Sequence, residues 1–234
     1  MPPAVILDVD GTLVDSNGAH AQAWVEAFNE AGRDVSADRV RRAIGMGGDK
    51  LMPHVGGITE ESREGTRISK RRGEIFRERY LPHIAPFPRV RDLLQRFAAD
   101  GYTIVVASSA QADELEALLR IANVADLITA KTSSNDAARS KPDPDIVSAA
   151  LRSSGAAPDQ ALMLGDTPYD VEAAHRAGIG IVAVESGGWG ADDLRGAVEV
   201  HPGAAEICAH YDDSAFARLI RTSVNLQTGS PHVR

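Results

Sequence analysis

The sequence predicts an α/β fold, a doubly wound parallel sheet with helices on both faces, interrupted by one inserted all-α domain. Two observations support this fold class. Short apolar runs alternate with amphipathic helical segments along most of the 234 residues, and residues 16–86 read as helices with no convincing strand. Because such sheets bind ligands outside the carboxyl ends of their strands, polar residues that follow the apolar runs are candidate site residues.

Five short apolar runs are predicted to be buried strands. A run of this length is typical of a strand that is covered on both faces of a parallel sheet. The predicted strands are Val5–Val9, Thr103–Ala107, Leu127–Ala130, Ala161–Leu164 and Ile179–Val184.

Segments with helical apolar spacing lie between these runs. In Arg89–Asp100 the apolar residues recur at i, i+3, i+4, i+7 and i+8, which is the spacing of one buried helix face. Ala112–Ala122 repeats this pattern. Gly101 follows the first of these segments, at the position where a glycine commonly ends a helix.

The inserted stretch is predicted to form a helical cap over the site, because its two connections to the core would cross near the same strand ends. PHIAPFP (82–88) is predicted to be the second hinge. We expect an α/β catalytic core over residues 1–15 and 87–225, a helical cap over residues 16–86, and a flexible tail over residues 226–234. The predicted cap helices are Ala19–Ala31, Ser36–Ile44, Asp49–His54 and Thr59–Tyr80.

The composition argues against several classes of partner. The net charge of −8 disfavours nucleic acid or an anionic membrane surface as the main partner. No segment reaches the roughly 18 uninterrupted apolar residues of a membrane span. The single cysteine, Cys208, excludes an internal disulfide, and with the lack of a signal-peptide pattern it predicts a cytoplasmic protein. The oligomeric state is left open.

The stretch VILDVDGTLVDS (5–16) places two carboxylates at the end of the first predicted strand. Asp8 and Asp10 are separated by one residue, so their side chains project to the same side. Like charges at this spacing repel each other unless a cation or a shared proton is present. The alternative interpretation is a solvated strand end, with Asp10-Gly11 as an ordinary turn.

Polar residues also follow other predicted strands. Ser108 and Ser109 come directly after the second run, where capping of the next helix is an alternative role. Lys141 lies in SKPDPD, and an exposed loop lysine is the alternative there. In LMLGDTPYD, Thr167 and Asp170 are consistent with a capping box, but capping leaves Asp166 unexplained.

The order of four motifs indicates a family. DVDGTLVDS, VVASSA, SKPDPDI and GDTPYDVEAA resemble, in this order, the four motifs of the haloacid dehalogenase-like hydrolase superfamily. The resemblance covers about Val5 to Val184, and the helical insert matches the cap position of the phosphatase and phosphomutase branch. It implies a Rossmann-like core with an all-α cap. Four motifs at predicted strand ends are far more specific than one.

The resemblance implies a phosphoryl-transfer site. It makes Asp8 the nucleophile and Asp10 the general acid and base. It gives Mg²⁺ the carboxylates of Asp8 and Asp166 and the backbone carbonyl of Asp10, with Asp170 acting through a bound water. The phosphate-binding residues that it implies are Gly11, Thr12, Ser108, Ser109 and Lys141.

Asp10 also separates branches of the superfamily. Dehalogenases and phosphonoacetaldehyde hydrolases are similar in fold but lack this aspartate, so its presence favours phosphoryl transfer from oxygen esters. The resemblance therefore implies a Mg²⁺-dependent phosphatase, phosphoglycolate-phosphatase-like, that acts on a small phosphorylated metabolite. The alternative is a sugar-phosphate phosphomutase of the β-phosphoglucomutase type, which would use the same residues. A signalling receiver domain fits less well, because its phosphorylated aspartate lies mid-chain.

The predicted cap carries weaker signals of specificity. IGMGGDKLMPHV (44–55) contains a glycine-rich loop that could approach a ligand closely, which makes Gly47 and Lys50 candidate specificity residues. A glycine-rich turn followed by a solvated lysine is the alternative. β-Phosphoglucomutases have an arginine near the position of Gly48, which weakens the mutase interpretation. Residues 66–80 contain six basic residues and are predicted to form a solvated helix face, with one or two arginines as candidates to face the site.

Overall fold

Six parallel strands form the sheet of the computed structural model, which describes residues 2–133, 136 and 138–228. The strand order is β3-β2-β1-β4-β5-β6, so β1 lies between β2 and β4. This topology confirms the predicted α/β class. The strands are β1 (Ala4–Leu7), β2 (Thr103–Ala107), β3 (Ala130–Thr132), β4 (Ala161–Gly165), β5 (Gly180–Val184) and β6 (Glu199–His201).

Helices make the crossovers that parallel strands require. The core helices are α5 (Val90–Ala99), α6 (Ala112–Ile121), α7 (Asp145–Ser154), α8 (Pro168–Arg176), α9 (Ala204–Ala209) and α10 (Ala215–Thr228). Those of the insert are α1 (Asn17–Glu30), α2 (Ala37–Ala43), α3 (Gly48–Gly56) and α4 (Arg63–Ile75), the last continued by a π-helical turn, Phe76–Tyr80. None of the helices in the described ranges combines the length and the apolarity that a membrane crossing requires.

Alternate residues of β1 point into two separate apolar clusters. Val5 and Leu7 belong to one cluster, which includes the buried faces of α5 and α6. Ala4 and Ile6 belong to the other, which includes the buried faces of α7 and α8. Because both faces of β1 are covered, the strand is continuously apolar and its first polar side chain, Asp8, comes at its carboxyl end.

The two connections of the insert run side by side. The backbone N–H of Asp15 donates to the carbonyl of Ala85 (3.0 Å), and that of Phe87 donates to the carbonyl of Leu13 (3.0 Å). Residues 16–86 form helices and no strand of the sheet. This arrangement supports the predicted division into a core and a cap over residues 16–86. We propose that the chain is organised in this way.

Three strands differ from the sequence prediction by two residues or more. β1 was predicted over Val5–Val9 but ends at Leu7, so Asp8 follows the strand. The strand predicted at Leu127–Ala130 begins only at Ala130, because Ala125–Leu127 form a 3₁₀ turn that leads into it. β6 was not predicted, because it is a three-residue edge strand with a single apolar residue, Val200.

The carboxyl-terminal helix is longer than expected. α10 continues to Thr228, so the first residues of the predicted tail, 226–228, are helical. The remaining residues of that tail, 229–234, lie outside the described residues.

Candidate active site

The central position of β1 brings the candidate residues together. Asp8 follows β1, and its backbone N–H donates to the carbonyl of Leu164 on β4 (2.9 Å). Ser108 follows β2, and Asp166 follows β4. Because these three strands are adjacent and parallel, their carboxyl ends meet at one edge of the sheet, as the sequence analysis expects.

Three buried carboxylates converge at this edge. Asp8, Asp166 and Asp170 each place one oxygen within 4.8 Å of the others. Oxygen ligands of this kind suit a hard divalent cation. The cluster contains Asp8 and Asp166, whose carboxylates the resemblance implies as ligands, and it adds the carboxylate of Asp170, which the resemblance implies acts through a water. The predicted contribution of Asp10 is its backbone carbonyl, and it stays a prediction.

Two carboxyl groups of this cluster, those of Asp8 and Asp166, have raised pKa values. The pKa of Asp8 is raised to about 7, because burial and the charges of Asp170 and Asp10 together outweigh the lowering effect of Lys141. Burial, with the charges of Asp8 and Asp170, raises the pKa of Asp166 well above its ordinary value. Excess buried negative charge of this kind favours binding of a cation.

Lys141 supplies a buried positive charge beside the cluster. Its ammonium group pairs with the carboxylate of Asp8 and lies 2.8 Å from Oδ1 of Asp170. Burial alone would lower the pKa of Lys141, but the charges of Asp170 and Asp8 outweigh it and hold the pKa above its ordinary value. The group therefore stays charged and can bind an anionic ligand.

Asp10 has a separate set of partners. The hydroxyl of Ser16 donates to Oδ1 of Asp10, and Nε2 of His20 lies 2.8 Å from the same oxygen. The His20 ring stacks on Phe76 at a centroid distance of 4.0 Å. Burial would raise the pKa of Asp10, but His20, Ser16 and Lys141 together lower it. Sequence reasoning missed His20, because it assigned no role to any of the scattered histidines.

The turn after Asp10 holds Asp166 in place. The hydroxyl of Thr12 donates to Oδ1 of Asp166 (3.1 Å) and more weakly to Oδ2 of Asp8 (3.4 Å), and Nδ2 of Asn17 donates to Oδ2 of Asp166 (2.9 Å). Gly11 has a φ of +76°, and a Cβ there would lie 2.2 Å from Oδ2 of Asp166. The turn therefore requires glycine. The side chain of Thr12 contacts both carboxylates, and its predicted role in phosphate binding stays a prediction.

The two serines after β2 differ in their hydrogen bonds. The hydroxyl oxygen of Ser108 accepts from the backbone N–H of Ala110 (3.1 Å), which leaves its own O–H free to donate. The hydroxyl of Ser109 is buried and has no hydrogen-bond partner among the described residues. Ser109 also lines the cavity next to Asp8. Both hydroxyls can therefore donate to a bound oxyanion.

A cavity opens over Asp8 and Asp10, and the insert forms its other wall. The loop before α3 contributes Gly47, as predicted for a specificity residue, together with its neighbours. Lys50 lies elsewhere, since its ammonium pairs with the carboxylate of Asp143 and it is absent from the described lining. This pairing does not support a substrate contact by Lys50. Arg72, which lies in the segment 66–80 where one or two arginines are candidates to face the site, also lines the cavity. Trp24 and Glu114 line it too, and the sequence indicated no role for either.

The loop approaches the core closely because it is rich in glycine. Gly45 has a φ of +106°, and a Cβ there would lie 2.8 Å from Cγ2 of Thr167. A Cβ on Gly47 would lie 2.5 Å from Cβ of Ser140. Larger residues would therefore push the loop away from the strand ends.

Comparison with known proteins identifies the family. The protein-family model described as "Haloacid dehalogenase-like hydrolase" matches residues 5–184. A phosphoglycolate phosphatase of Rhodospirillum rubrum is 33% identical over 202 residues (80% of this chain, 81% of its own), and the "Probable phosphatase IndB" of Dickeya dadantii is 30% identical over 201 residues (84% and 87%). A crystal structure of a hydrolase from Pseudomonas syringae matches with a TM-score of 0.85 and 29% identity, over 91% of this chain and 99% of that one. The chain therefore belongs to the haloacid dehalogenase-like hydrolase family.

Proposed function

We propose that the chain is a Mg²⁺-dependent phosphatase that hydrolyses small phosphate monoesters through an aspartyl-phosphate on Asp8. The observation that carries this proposal is the position of Asp8, buried between the ammonium of Lys141 and the carboxylates of Asp166 and Asp170. The relatives from R. rubrum and D. dadantii are named as phosphatases, which supports the same reaction. The single cysteine fits a reducing compartment, and we propose a cytoplasmic location.

The reaction proceeds in two displacements. An oxygen of Asp8 attacks phosphorus, the bond to the leaving oxygen breaks, and Asp10 donates a proton to that oxygen. Asp10 then takes a proton from water, which attacks the phosphoryl group and releases inorganic phosphate and free Asp8. Nε2 of His20, 2.8 Å from Oδ1 of Asp10, can pass a proton to Asp10 for the first step and take one back in the second. The lowered pKa of Asp10 keeps its carboxylate ionised, as a proton acceptor must be.

Positive charge and donors surround the transferred group. Lys141 and the hydroxyls of Ser108 and Ser109 would hold its non-bridging oxygens, where negative charge accumulates. Asp8, Asp166 and Asp170 would hold Mg²⁺, which supplies the charge that lets an anionic nucleophile meet an anionic ester.

Phosphate release from a panel of small phosphate monoesters, with Mg²⁺ and with EDTA, tests this function. We expect release that EDTA abolishes and that Mg²⁺ restores. A chain that releases no phosphate but interconverts sugar phosphates in the presence of a bisphosphate activator would be a phosphomutase, and the proposal of a phosphatase would be wrong.

Replacing His20 by Gln is expected to lower kcat by about 10- to 100-fold while KM changes less than about 3-fold, because proton transfer through Asp10 loses its partner. Steady-state kinetics across a pH series would measure this. His83→Gln, at an exposed histidine, is the control and should leave kcat unchanged. A rise in KM of about 10- to 100-fold at constant kcat would mean that His20 serves substrate binding instead.

A further inference from the structure

A second cavity continues from the first, away from Asp8. The two share Gly47, Gly48, Arg72 and Ser109 in their linings. Since the phosphoryl group must lie at Asp8, the leaving group of a bound ester extends along Arg72 towards the second cavity. The side chains that the second cavity adds are mostly polar: Asp49, Glu60, Ser69, Gln111 and Ser140.

The walls around the leaving group carry more negative than positive charge. Beyond Asp8 and Asp10, the described linings of the two cavities contain three carboxylates, those of Glu114, Asp49 and Glu60, against one guanidinium, that of Arg72. A leaving group that carries a carboxylate would therefore enter a region of like charge, at a cost that grows as water is excluded.

The guanidinium of Arg72 is already paired. Nη1 donates to both oxygens of Glu114, at 3.1 and 3.0 Å, and the Glu114 side chain is almost completely buried. The guanidinium also lies over the ring of Trp24, 5.2 Å from its centroid. A substrate carboxylate could bind Arg72 only beside the carboxylate of Glu114. The pair therefore disfavours the anionic leaving group that a lone arginine would attract.

Arg72 still offers a donor to a neutral oxygen. Its Nε is buried and has no hydrogen-bond partner within the part of the chain that the structure describes. The hydroxyl of Ser109, in both cavities, is also unpartnered there. A hydroxyl group can accept from the guanidinium of Arg72 or the hydroxyl of Ser109 and donate to the carboxylates of Asp49 or Glu60, which line the same cavity. A carboxylate can only accept and an ammonium can only donate.

We infer that the substrate is the phosphate ester of an uncharged polyhydroxy alcohol, a sugar or polyol phosphate, and that Glu114 excludes esters whose leaving group bears a carboxylate. This inference rests on the proposed phosphatase function and names the class of ester for that same site. Glu114 is a specificity-determining residue in this account, because it forms an ion pair with Arg72 and because its own negative charge repels a carboxylate.

Matched esters test the inference on the wild-type chain. Each set has the same carbon skeleton: 2-hydroxyethyl phosphate, phosphoglycolate and 2-aminoethyl phosphate, then glycerol 3-phosphate against 3-phosphoglycerate, and erythritol 4-phosphate against 4-phosphoerythronate. We expect kcat/KM to be at least about 10-fold higher for the neutral member, with the ratio growing with chain length. Equal or faster turnover of the carboxylate or the amino member would overturn the inference.

Glu114→Gln examines the role of the pair. The variant frees the charge of Arg72, so the preference for neutral over carboxylate esters should fall by at least about 10-fold. Glu116→Gln is the matched control on the same helix, because Glu116 is exposed and pairs with Lys131 at the surface (3.2 Å). An unchanged preference in a folded Glu114→Gln variant, judged by its melting temperature, would remove Glu114 from the account.

Binding separates this inference from the proposed reaction. Isothermal titration calorimetry of the same ester sets against Asp8→Asn with Mg²⁺ measures selection without turnover. Tighter binding of the neutral esters, even if the wild type releases no phosphate, would support the polyol inference and overturn the phosphatase proposal. Phosphate release by the wild type, together with tighter binding of the carboxylate esters by Asp8→Asn, would support the phosphatase proposal and overturn the polyol inference.

Discussion

Asp8→Asn is expected to lower kcat for phosphate release by about 10⁴-fold or more, because an amide cannot act as the anionic nucleophile that forms the phosphoryl-enzyme. The side chain keeps its size, so the packing at the end of β1 is preserved. The lost interaction is the ion pair with Lys141, which retains the carboxylate of Asp170 as its second partner. The loss of rate should therefore come without loss of the fold.

Single-turnover phosphate release, with the best ester of the panel and saturating Mg²⁺, measures this effect. Asp15→Asn is the control, since Asp15 is an exposed carboxylate in the same segment and should keep kcat within about 2-fold. A melting temperature within a few degrees of the wild type would show that Asp8→Asn folds. Turnover at the wild-type rate in a folded Asp8→Asn chain would remove Asp8 from the role of nucleophile.

The sequence was most informative where polar residues interrupt apolar strands. Asp8, Ser108 and Asp166 follow runs that are buried on both faces, and the adjacency of β1, β2 and β4 brings these residues to one edge. Lys141 could also be assigned, because its motif resembles that of the family. For these residues the local sequence pattern and the sheet topology both place the side chain at the carboxyl edge of the sheet. The pattern alone was therefore sufficient to predict their position.

The cavity wall was not predictable in the same way. The sequence predicts a solvated helix face over residues 66–80 with one or two arginines towards the site, but it does not single out Arg72. Glu114 lies near the start of α6, where the helix dipole alone favours an acidic residue. Only the packing of the insert on the core brings the two together. The same packing pairs Lys50 with Asp143, although the loop pattern suggested a ligand contact.

Asp166→Asn is expected to weaken the binding of Mg²⁺ that stabilises the chain and to lower kcat by about 10²- to 10³-fold. A ligand that binds only the folded state stabilises it by about 2.7 kcal/mol at 100 times its Kd. With one of its three converging carboxylates neutral, the site should need at least about 10-fold more Mg²⁺ to reach half of that stabilisation. Thermal unfolding across a Mg²⁺ titration measures the shift without any reference to activity.

Without Mg²⁺, the effect of Asp166→Asn on the stability of the chain should have the opposite sign. The raised pKa of Asp166 means that the folded chain holds a proton that the unfolded chain has released, so this group makes the metal-free fold less stable as pH rises above the ordinary carboxyl range. Asp166→Asn lacks that group, so in EDTA at pH 8 the variant should be at least as stable as the wild type. Asp159→Asn, at an exposed position before β4, is the control and should match the stability of the wild type with and without Mg²⁺. A variant that loses stability in EDTA but keeps the wild-type response to Mg²⁺ would show that Asp166 supports the fold and does not ligate the metal.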